Sequence, residues 1–263
     1  MTGIDEAGRT SFDRNAELYD AARPPYPESL VDEVVARSRI PRGGRILEIG
    51  AGTGKATLPF ARRGHAIVAL EPGANMAAVL RRNAAAFPKV AVEVGTFEAW
   101  RGPEGSFDLV LSAQAFHWVD PAVRCAKAAA ALRSGGALAL IRNETTGLEP
   151  GLRAEMEAAY AGWFPAVTWT PVRDSTGSKR DEFTTEIERS GLFGPVQIAS
   201  FPWTARYTTR QYLDLLETHS DHALLDPALR TPLYDAIADA IERRGGRIEV
   251  PYVAMLLLTV REE

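Results

Sequence analysis

The chain has 263 residues, 46% of them hydrophobic, with a formal net charge of −4 and a sequence pI of about 5.7. This length and composition predict one globular domain, or one domain with a sizeable insertion, and the acidic balance argues against a nucleic-acid-binding surface. The polar N-terminus and the absence of a long apolar run lead us to expect a soluble cytoplasmic protein with no membrane contact. The single cysteine, Cys125, excludes an internal disulfide.

The N-terminal part of the chain predicts two helices separated by a proline-rich break. Ser11 is a suitable N-cap for the first helix. That helix must end before RPPYP, residues 23–27, because consecutive prolines remove backbone donors and disfavour α geometry. Pro27 suits the first position of a second helix, PESLVDEVVARS.

From residue 45 onward the hydrophobic pattern switches repeatedly between the strand period and the helix period. Such alternation predicts a parallel sheet with helices on both faces, in which ligands bind beyond the carboxyl ends of the strands. The predicted strands are 45–49, 65–70, 89–95, 107–113, 137–144, 195–203 and 252–261. The predicted helices are 55–64, 74–86, 120–136, two within 145–190, 208–220 and 227–246.

The most informative stretch is RILEIGAGTGKAT, in which a strand leads into glycines at three alternate positions, Gly50, Gly52 and Gly54. Glycines placed this way allow a ligand to approach the backbone closely. Their spacing differs from the G-x-G-x-x-G of dinucleotide-binding loops, because the third glycine comes one residue early. Glu48, just before the loop, opposes a pyrophosphate and suits an ammonium group.

Glu71 ends the second predicted strand, where a carboxylate can accept hydrogen bonds from both hydroxyls of a ribose. Together with Glu48, it points to a ligand that has a ribose and an amine but no phosphate. S-adenosylmethionine fits that description.

An ordered series of motifs now resembles the class I S-adenosylmethionine-dependent methyltransferases, and most closely their type 11, small-molecule branch. The series covers roughly residues 40–145. The opening from Phe12 to Pro27, F-x-x-x-A-x-x-Y-x-x-x-R-P-x-Y-P, resembles the N-terminal cap of trans-aconitate-type methyltransferases. The motifs of the series are LEIGAGTG, Glu71, GTFEAW, FDLVLSAQAFHW and LRSGGALAL.

The resemblance implies an α/β fold with a Rossmann-like, doubly wound, mostly parallel seven-stranded sheet whose last strand is antiparallel, plus a helical lid. Residues 1–145 would form the cofactor-binding core with cap helices in 1–40. Residues 146–263 would supply the lid, the substrate-binding insertions and the last two strands of the same sheet.

The resemblance also implies cofactor-binding roles along the chain. Thr96 departs from the family, which often has Asp at this position. The implied cofactor-binding residues are Tyr19, Arg23, Glu48, Gly50, Ala51, Gly52, Gly54, Glu71, Pro72, Met76, Thr96, Phe97, Ser112, Ala113 and Gln114.

Methyl transfer mainly requires positioning of the nucleophile, and it sometimes requires removal of a proton. His117, after the fourth strand, is the candidate catalytic residue, either as a general base or as a wall of the pocket. We assign Tyr26, Trp118, Trp203 and His219 to substrate binding. No metal site is expected, because THSDH alone offers too few ligands.

The predicted function is transfer of a methyl group to an O, N or C atom of a small molecule, with a role in specialised metabolism. Two alternatives remain open at this point. One is a nicotinamide-dependent oxidoreductase, and the other is a non-catalytic protein that retains the S-adenosylmethionine pocket.

Overall fold

The computed structural model describes residues 13–163, 178–223 and 225–262. A short 3₁₀ turn, Phe116–Trp118, follows the fourth strand. The strands are β1 (Arg45–Ile49), β2 (Ala66–Glu71), β3 (Val90–Val94), β4 (Phe107–Ala113), β5 (Leu132–Thr145), β6 (Gln197–Thr208) and β7 (Arg247–Val260). The helices are α1 (Ala16–Ala22), α2 (Glu28–Ser38), α3 (Thr57–Arg62), α4 (Ala74–Asn83), α5 (Arg124–Ala131), α6 (Pro150–Trp163), α7 (Ser178–Ser190), α8 (Thr209–Glu217), α9 (Ser220–Ala223) and α10 (Pro227–Glu242).

Within the described residues, seven strands form one sheet in the order β3-β2-β1-β4-β5-β7-β6. Strands β1 to β5 pair in parallel, whereas β7 runs antiparallel to both of its neighbours, β5 and β6. The predicted Rossmann-like, mostly parallel sheet with an antiparallel last strand is therefore confirmed. Because β7 lies between β5 and β6, the antiparallel strand is second from the edge of the sheet, and β6 is the edge strand.

Strand β1 lies between β2 and β4, and its position explains why it is buried from Ile46 to Ile49 although it contains Glu48. Ile46 packs into the core on one face of the sheet and Leu47 into the core on the other, and both are fully buried. A strand covered by helices on both faces has no solvent side, so apolar residues do not alternate with polar ones. The carboxyl end of β1 consequently opens into the middle of the strand-end face.

The prediction of a helix over 120–136 is wrong at its C-terminal end. The helix α5 stops at Ala131, and Leu132 already pairs with Phe107 in the sheet. The register shifts between this pair and the next, and a Cβ at Gly136 would lie 2.9 Å from the Arg133 carbonyl oxygen. The glycine thus serves an irregularity within β5 rather than the end of a helix.

The C-terminal half of the chain divides between lid and core. Helices α6 and α8 contribute Tyr160 and Tyr212 to an apolar cluster that is separate from the cores on the two faces of the sheet. Both residues line the cavity described below. Helix α7 instead packs Phe183 and Ile187 into the core on the side of α5. Of the two helices within 145–190, α6 therefore reaches the cavity and α7 packs on the core of the sheet.

At the N-terminus, helix α1 packs on α4 through Ala16, Met76 and Val79. Pro27 is the N-cap of α2 rather than its first residue. The predicted N-cap Ser11 lies outside the described residues.

Candidate active site

A cavity of about 1100 Å³ lies at the carboxyl ends of the central strands, beneath α1, α6 and α8. Its size is at the upper end of the range for small-molecule pockets, which leaves room for a cofactor together with a small second ligand. The sequence-predicted residues that line it are Tyr19, Arg23, Tyr26, Gly50, Gly52, Glu71, Pro72, Met76, Thr96, Phe97, Ala113, Gln114, His117, Trp118 and His219. The predicted residues that are not part of the lining are Glu48, Ala51, Gly54, Ser112 and Trp203.

The three glycines of the loop after β1 all have positive φ angles, between 58° and 96°, but they serve different purposes. A Cβ at Gly50 would lie 2.4 Å from the Ala115 side chain, and one at Gly54 would lie 2.4 Å from Leu80. These two glycines allow the loop to pack. The nearest atoms to a Cβ at Gly52 would be Met76 Cε at 3.5 Å and Tyr19 Cε1 at 4.0 Å, and Gly52 lines the cavity, so its missing side chain leaves space for a ligand.

Glu71 is held rigidly at the end of β2. Its Oε2 accepts a hydrogen bond from the Gly52 amide and its Oε1 accepts one from the Gly73 amide, each 2.8 Å long. The side chain is 7% exposed and lines the cavity. Glu71 therefore presents its carboxylate to the cavity in a fixed geometry.

Glu48 lies one layer beneath the loop. It is 1% exposed, and its Oε2 has no hydrogen-bond partner among the described residues. Burial, with a smaller contribution from the Glu71 carboxylate, raises the pKa of Glu48 to about 8. A positive charge placed above the loop would favour the ionised form of this carboxyl group.

Ala51 and Ser112 hold the backbone around Glu48 in place through hydrogen bonds. The Ala51 amide donates to the Leu70 carbonyl oxygen. Ser112 is buried and its hydroxyl donates to the Ile49 carbonyl oxygen, 3.1 Å away. Both residues therefore hold the strand ends in place from beneath the cavity lining.

The N-terminal cap is anchored by Asp13, a residue that sequence reasoning missed. Asp13 Oδ1 accepts hydrogen bonds from the amides of Asn75 at 2.8 Å and Met76 at 3.0 Å, at the start of α4. A Cβ at Gly73 would lie 2.6 Å from the same oxygen, which explains the glycine. Asp13 thus caps a helix that begins 61 residues later in the chain, and no local pattern could have revealed that contact.

Arg23 connects the cap to the far side of the cavity. Its Nη2 donates to the Thr218 carbonyl oxygen at 2.8 Å, and its guanidinium lies 5.2 Å from the centre of the Tyr19 ring. Its Nε is buried and has no hydrogen-bond partner among the described residues. Tyr26, further along the same segment, has a pKa raised by burial.

The end of β4 is held in an unusual backbone conformation. Gln114 has a φ of 58°, which is uncommon for a residue other than glycine and typical of functional sites. Its side-chain amide donates to the Asn143 carbonyl oxygen at 2.7 Å. Trp203 Nε1 donates to Asn143 Oδ1 at 2.9 Å, and its ring stacks on Tyr252. Trp203 therefore supports the cavity wall from behind.

The adenine-side residues that the resemblance implies lie at the end of β3. Thr96 Oγ1 accepts a hydrogen bond from the Ala99 amide, which holds its own loop in place. Phe97 is 2% exposed and its ring stacks on Trp100. Glu98 also lines the cavity, and its Oε1 accepts a hydrogen bond from the Asp120 amide.

Among the described residues, three histidines line the cavity: His117 after β4, and His219 and His222 at the junction of α8 and α9. His117 is exposed and its ring lies 4.8 Å from that of Trp118. His219 is half-buried, and burial, Arg23 and His222 lower its pKa well below the usual value. His222 is buried, and its Nε2 lies 2.8 Å from the Tyr160 hydroxyl.

The fold and the cavity at its strand ends define a class I methyltransferase architecture, and comparisons with known proteins agree. Residues 46–136 match the model of a family described as a methyltransferase domain. An uncharacterised methyltransferase of Mycobacterium bovis is 32% identical over 252 residues, covering 93% of each chain. The chain belongs to the class I S-adenosylmethionine-dependent methyltransferases.

Solved structures share the fold. A putative type II methyltransferase from Anaeromyxobacter dehalogenans is 21% identical with a TM-score of 0.62, over 90% of this chain and 97% of that chain. Phosphoethanolamine N-methyltransferase 2 of Haemonchus contortus, solved with S-adenosyl-L-methionine, is 15% identical with a TM-score of 0.58. That likeness covers all of this chain and 60% of the other. At these identities the two structures show the fold alone.

Two further observations concern the described part of the chain. None of its helices combines the length and apolarity that a membrane crossing requires. It also contains no group of three or more His, Cys, Asp or Glu side chains arranged to hold a metal ion.

Proposed function

We propose that this protein binds S-adenosylmethionine in the cavity at the strand ends and transfers its methyl group to a small molecule. The observation that carries the proposal is Glu71, whose carboxylate lines the cavity and is fixed by the Gly52 and Gly73 amides where ribose hydroxyls could reach it. Gly52 leaves open the space beside it. The buried, unpartnered Oε2 of Glu48 fits a positively charged group above the loop.

Other residues take roles that follow from their positions. Arg23 and Tyr19 cover the methionine end from the cap, with the buried Arg23 Nε as a donor for a carboxylate. Pro72, Met76 and Phe97 form the apolar surroundings of the adenine. Residues 1–145 would thus hold the cofactor, and residues 146–263 would complete the pocket for the methyl acceptor.

When bound, S-adenosylmethionine supplies an electrophilic methyl group on a sulfonium. The chain then has to orient an acceptor in line with the methyl carbon and exclude water. The end of β4, with Ala113 and Gln114, faces the position between the two ends of the cavity. The strained Gln114 backbone, tied to Asn143, fixes that position.

Binding measurements on a pair of glycine variants test the proposal. Calorimetry should show binding of S-adenosylhomocysteine and no binding of NADH to the wild-type protein. Gly52→Val should abolish that binding, because the side chain would fill the ligand space. Gly105→Val is the matched control, since Gly105 has a φ of 59° against 58° for Gly52 but has open space around it.

Both variants put a valine at a positive φ and so strain the backbone similarly. They differ in that Gly52 lines the cavity and Gly105 does not. Equal loss of binding in both would refute the assignment of the loop. Turnover of S-adenosylmethionine to S-adenosylhomocysteine with an acceptor separates an enzyme from a non-catalytic protein that retained the pocket.

A further inference from the structure

The acceptor end of the cavity is walled by aromatic and aliphatic side chains. Tyr160 from α6, Tyr212 from α8 and Tyr252 from β7 all line it, together with Leu215 and Leu216. Their phenol rings and methyl groups form a surface suited to a flat apolar body.

His219 enters this wall at the junction of α8 and α9. Its backbone is held on both sides, because its amide donates to the Leu216 carbonyl oxygen and its own carbonyl accepts from the Ala223 amide. No hydrogen bond joins its ring to any residue that the structure describes, and the ring lines the cavity. The imidazole is therefore positioned by the backbone and available to a ligand.

The surroundings of His219 keep its ring neutral. Burial lowers the pKa of the ring well below its usual value, and Arg23, from the cap, and His222, from α9, act in the same direction. His222 is itself engaged by two hydroxyls, Tyr160 at 2.8 Å and Tyr234 at 3.3 Å. A neutral imidazole has one nitrogen that accepts a hydrogen bond.

Resting on the proposed function, we propose that His219 is the proton acceptor of this site and that the methyl acceptor is a small phenol whose hydroxyl donates to its ring. The aromatic wall takes the phenol ring. The Arg23 guanidinium favours the negative charge that grows on the oxygen as the proton leaves. An ammonium at the same place would meet a like charge.

The step balances without a further reactant. A lone pair of the phenol oxygen forms the new bond to the methyl carbon, and the electrons of the carbon–sulfur bond return to sulfur, giving a neutral thioether. The hydroxyl proton passes to His219 as the methyl group moves, and because burial, Arg23 and His222 disfavour the imidazolium, the ring then releases that proton to water. A base is needed most when the phenol is weakly acidic.

A series of phenols of graded acidity tests the proposal with the wild-type protein, His219→Asn and His117→Gln. Phenol itself has a pKa near that of tyrosine, about 10, whereas 4-nitrophenol is largely ionised at mildly alkaline pH. Release of S-adenosylhomocysteine measures turnover. His219→Asn should lower the rate with phenol by about 100-fold or more and the rate with 4-nitrophenol by less than about 10-fold.

A merely structural role would lower both rates by the same factor, and that result would overturn the proposal. His117→Gln, in the cavity-lining histidine that follows β4, should show such a uniform effect. Absence of turnover with every phenol, in a protein that still binds S-adenosylhomocysteine, would overturn the substrate class and leave the cofactor assignment standing. Absence of S-adenosylhomocysteine binding would instead refute the proposed function.

Discussion

Binding of the cofactor should release a proton from Glu48. In the free protein the pKa of this carboxyl group is about 8 because it is buried, so about nine-tenths of the molecules hold the proton at neutral pH. An opposite charge within about 4–6 Å lowers a carboxyl pKa by roughly 1–3 units. The methionine ammonium above the loop would therefore bring it to between about 5 and 7.

The expected release at pH 7 follows from these values. The protonated fraction falls from about 0.9 to between roughly 0.5 and 0.01, so about 0.4–0.9 proton leaves per cofactor bound. Calorimetry of S-adenosylhomocysteine binding in buffers of different ionisation enthalpy measures this number. His219 and His222 contribute little, because burial lowers both of their pKa values.

Glu48→Gln is the control, because glutamine keeps the shape and has no proton to release. A release below about 0.1 proton in the wild type, or an equal release in the variant, would refute the reasoning.

The pH dependence of stability gives a second measurement of the Glu48 pKa. Since the folded pKa is raised from 4.5 to about 8, the folded state holds the extra proton in that window. Stability contributed by Glu48 should fall by up to about 1.4 kcal/mol per pH unit as the pH rises through it, and Glu48→Gln should remove that slope.

Three further substitutions probe the cofactor contacts and His117. Glu71→Ala should weaken S-adenosylhomocysteine binding by about 1–3 kcal/mol, roughly 5- to 150-fold, whereas Glu93→Ala, on the exposed neighbouring strand, should leave affinity unchanged in the same titration. Asp13→Ala removes the acceptor for two amides of α4 and should cost about 1 kcal/mol of stability, measured by denaturant unfolding, together with a weaker affinity; unchanged values of both would contradict the capping role. His117→Gln should lower turnover by less than about 100-fold and keep the acid limb of the pH–rate profile, and a larger drop with loss of that limb would identify His117 as the base. Hydrogen exchange should show that S-adenosylhomocysteine increases protection of residues 13–23, and equal protection in both states would count against a closing cap.

The part of the site that could be predicted from the sequence is the part that the chain builds locally. The strand β1, the glycine loop and the carboxylate that ends β2 follow each other within a few dozen residues. Their order fixes their positions, because parallel strands joined by right-handed crossovers bring their carboxyl ends to one edge. The Gly52 amide nitrogen and Glu71 Oε2 accordingly lie 2.8 Å apart, although the two residues are 19 positions apart in the chain.

The contacts that could not be predicted join segments whose pairing depends on packing. The cap reaches α4 through Asp13 across 62 and 63 residues, and it reaches the end of α8 through Arg23 across 195. Trp203 is a different case. It is predicted to contact substrate, but the antiparallel pairing of β6 with β7 places it opposite Tyr252, which lines the cavity whereas Trp203 does not.

Glu48 shows that a motif predicts where an acidic residue lies more reliably than it predicts what that residue contacts. The acidic residue before the glycines suits an ammonium, yet the fold places its carboxyl group beneath the loop, where it is 1% exposed. At that depth it interacts with a ligand through space rather than through a direct hydrogen bond. Its effect is then strongest where water is excluded, so the cap that covers the cavity also determines how strongly Glu48 responds to the cofactor. Arg23 joins these effects, because it connects the cap to α8 and faces His219. In the proposed complex, closure of the cap would place the donor for the cofactor's carboxylate, shield Glu48 from water and keep His219 neutral.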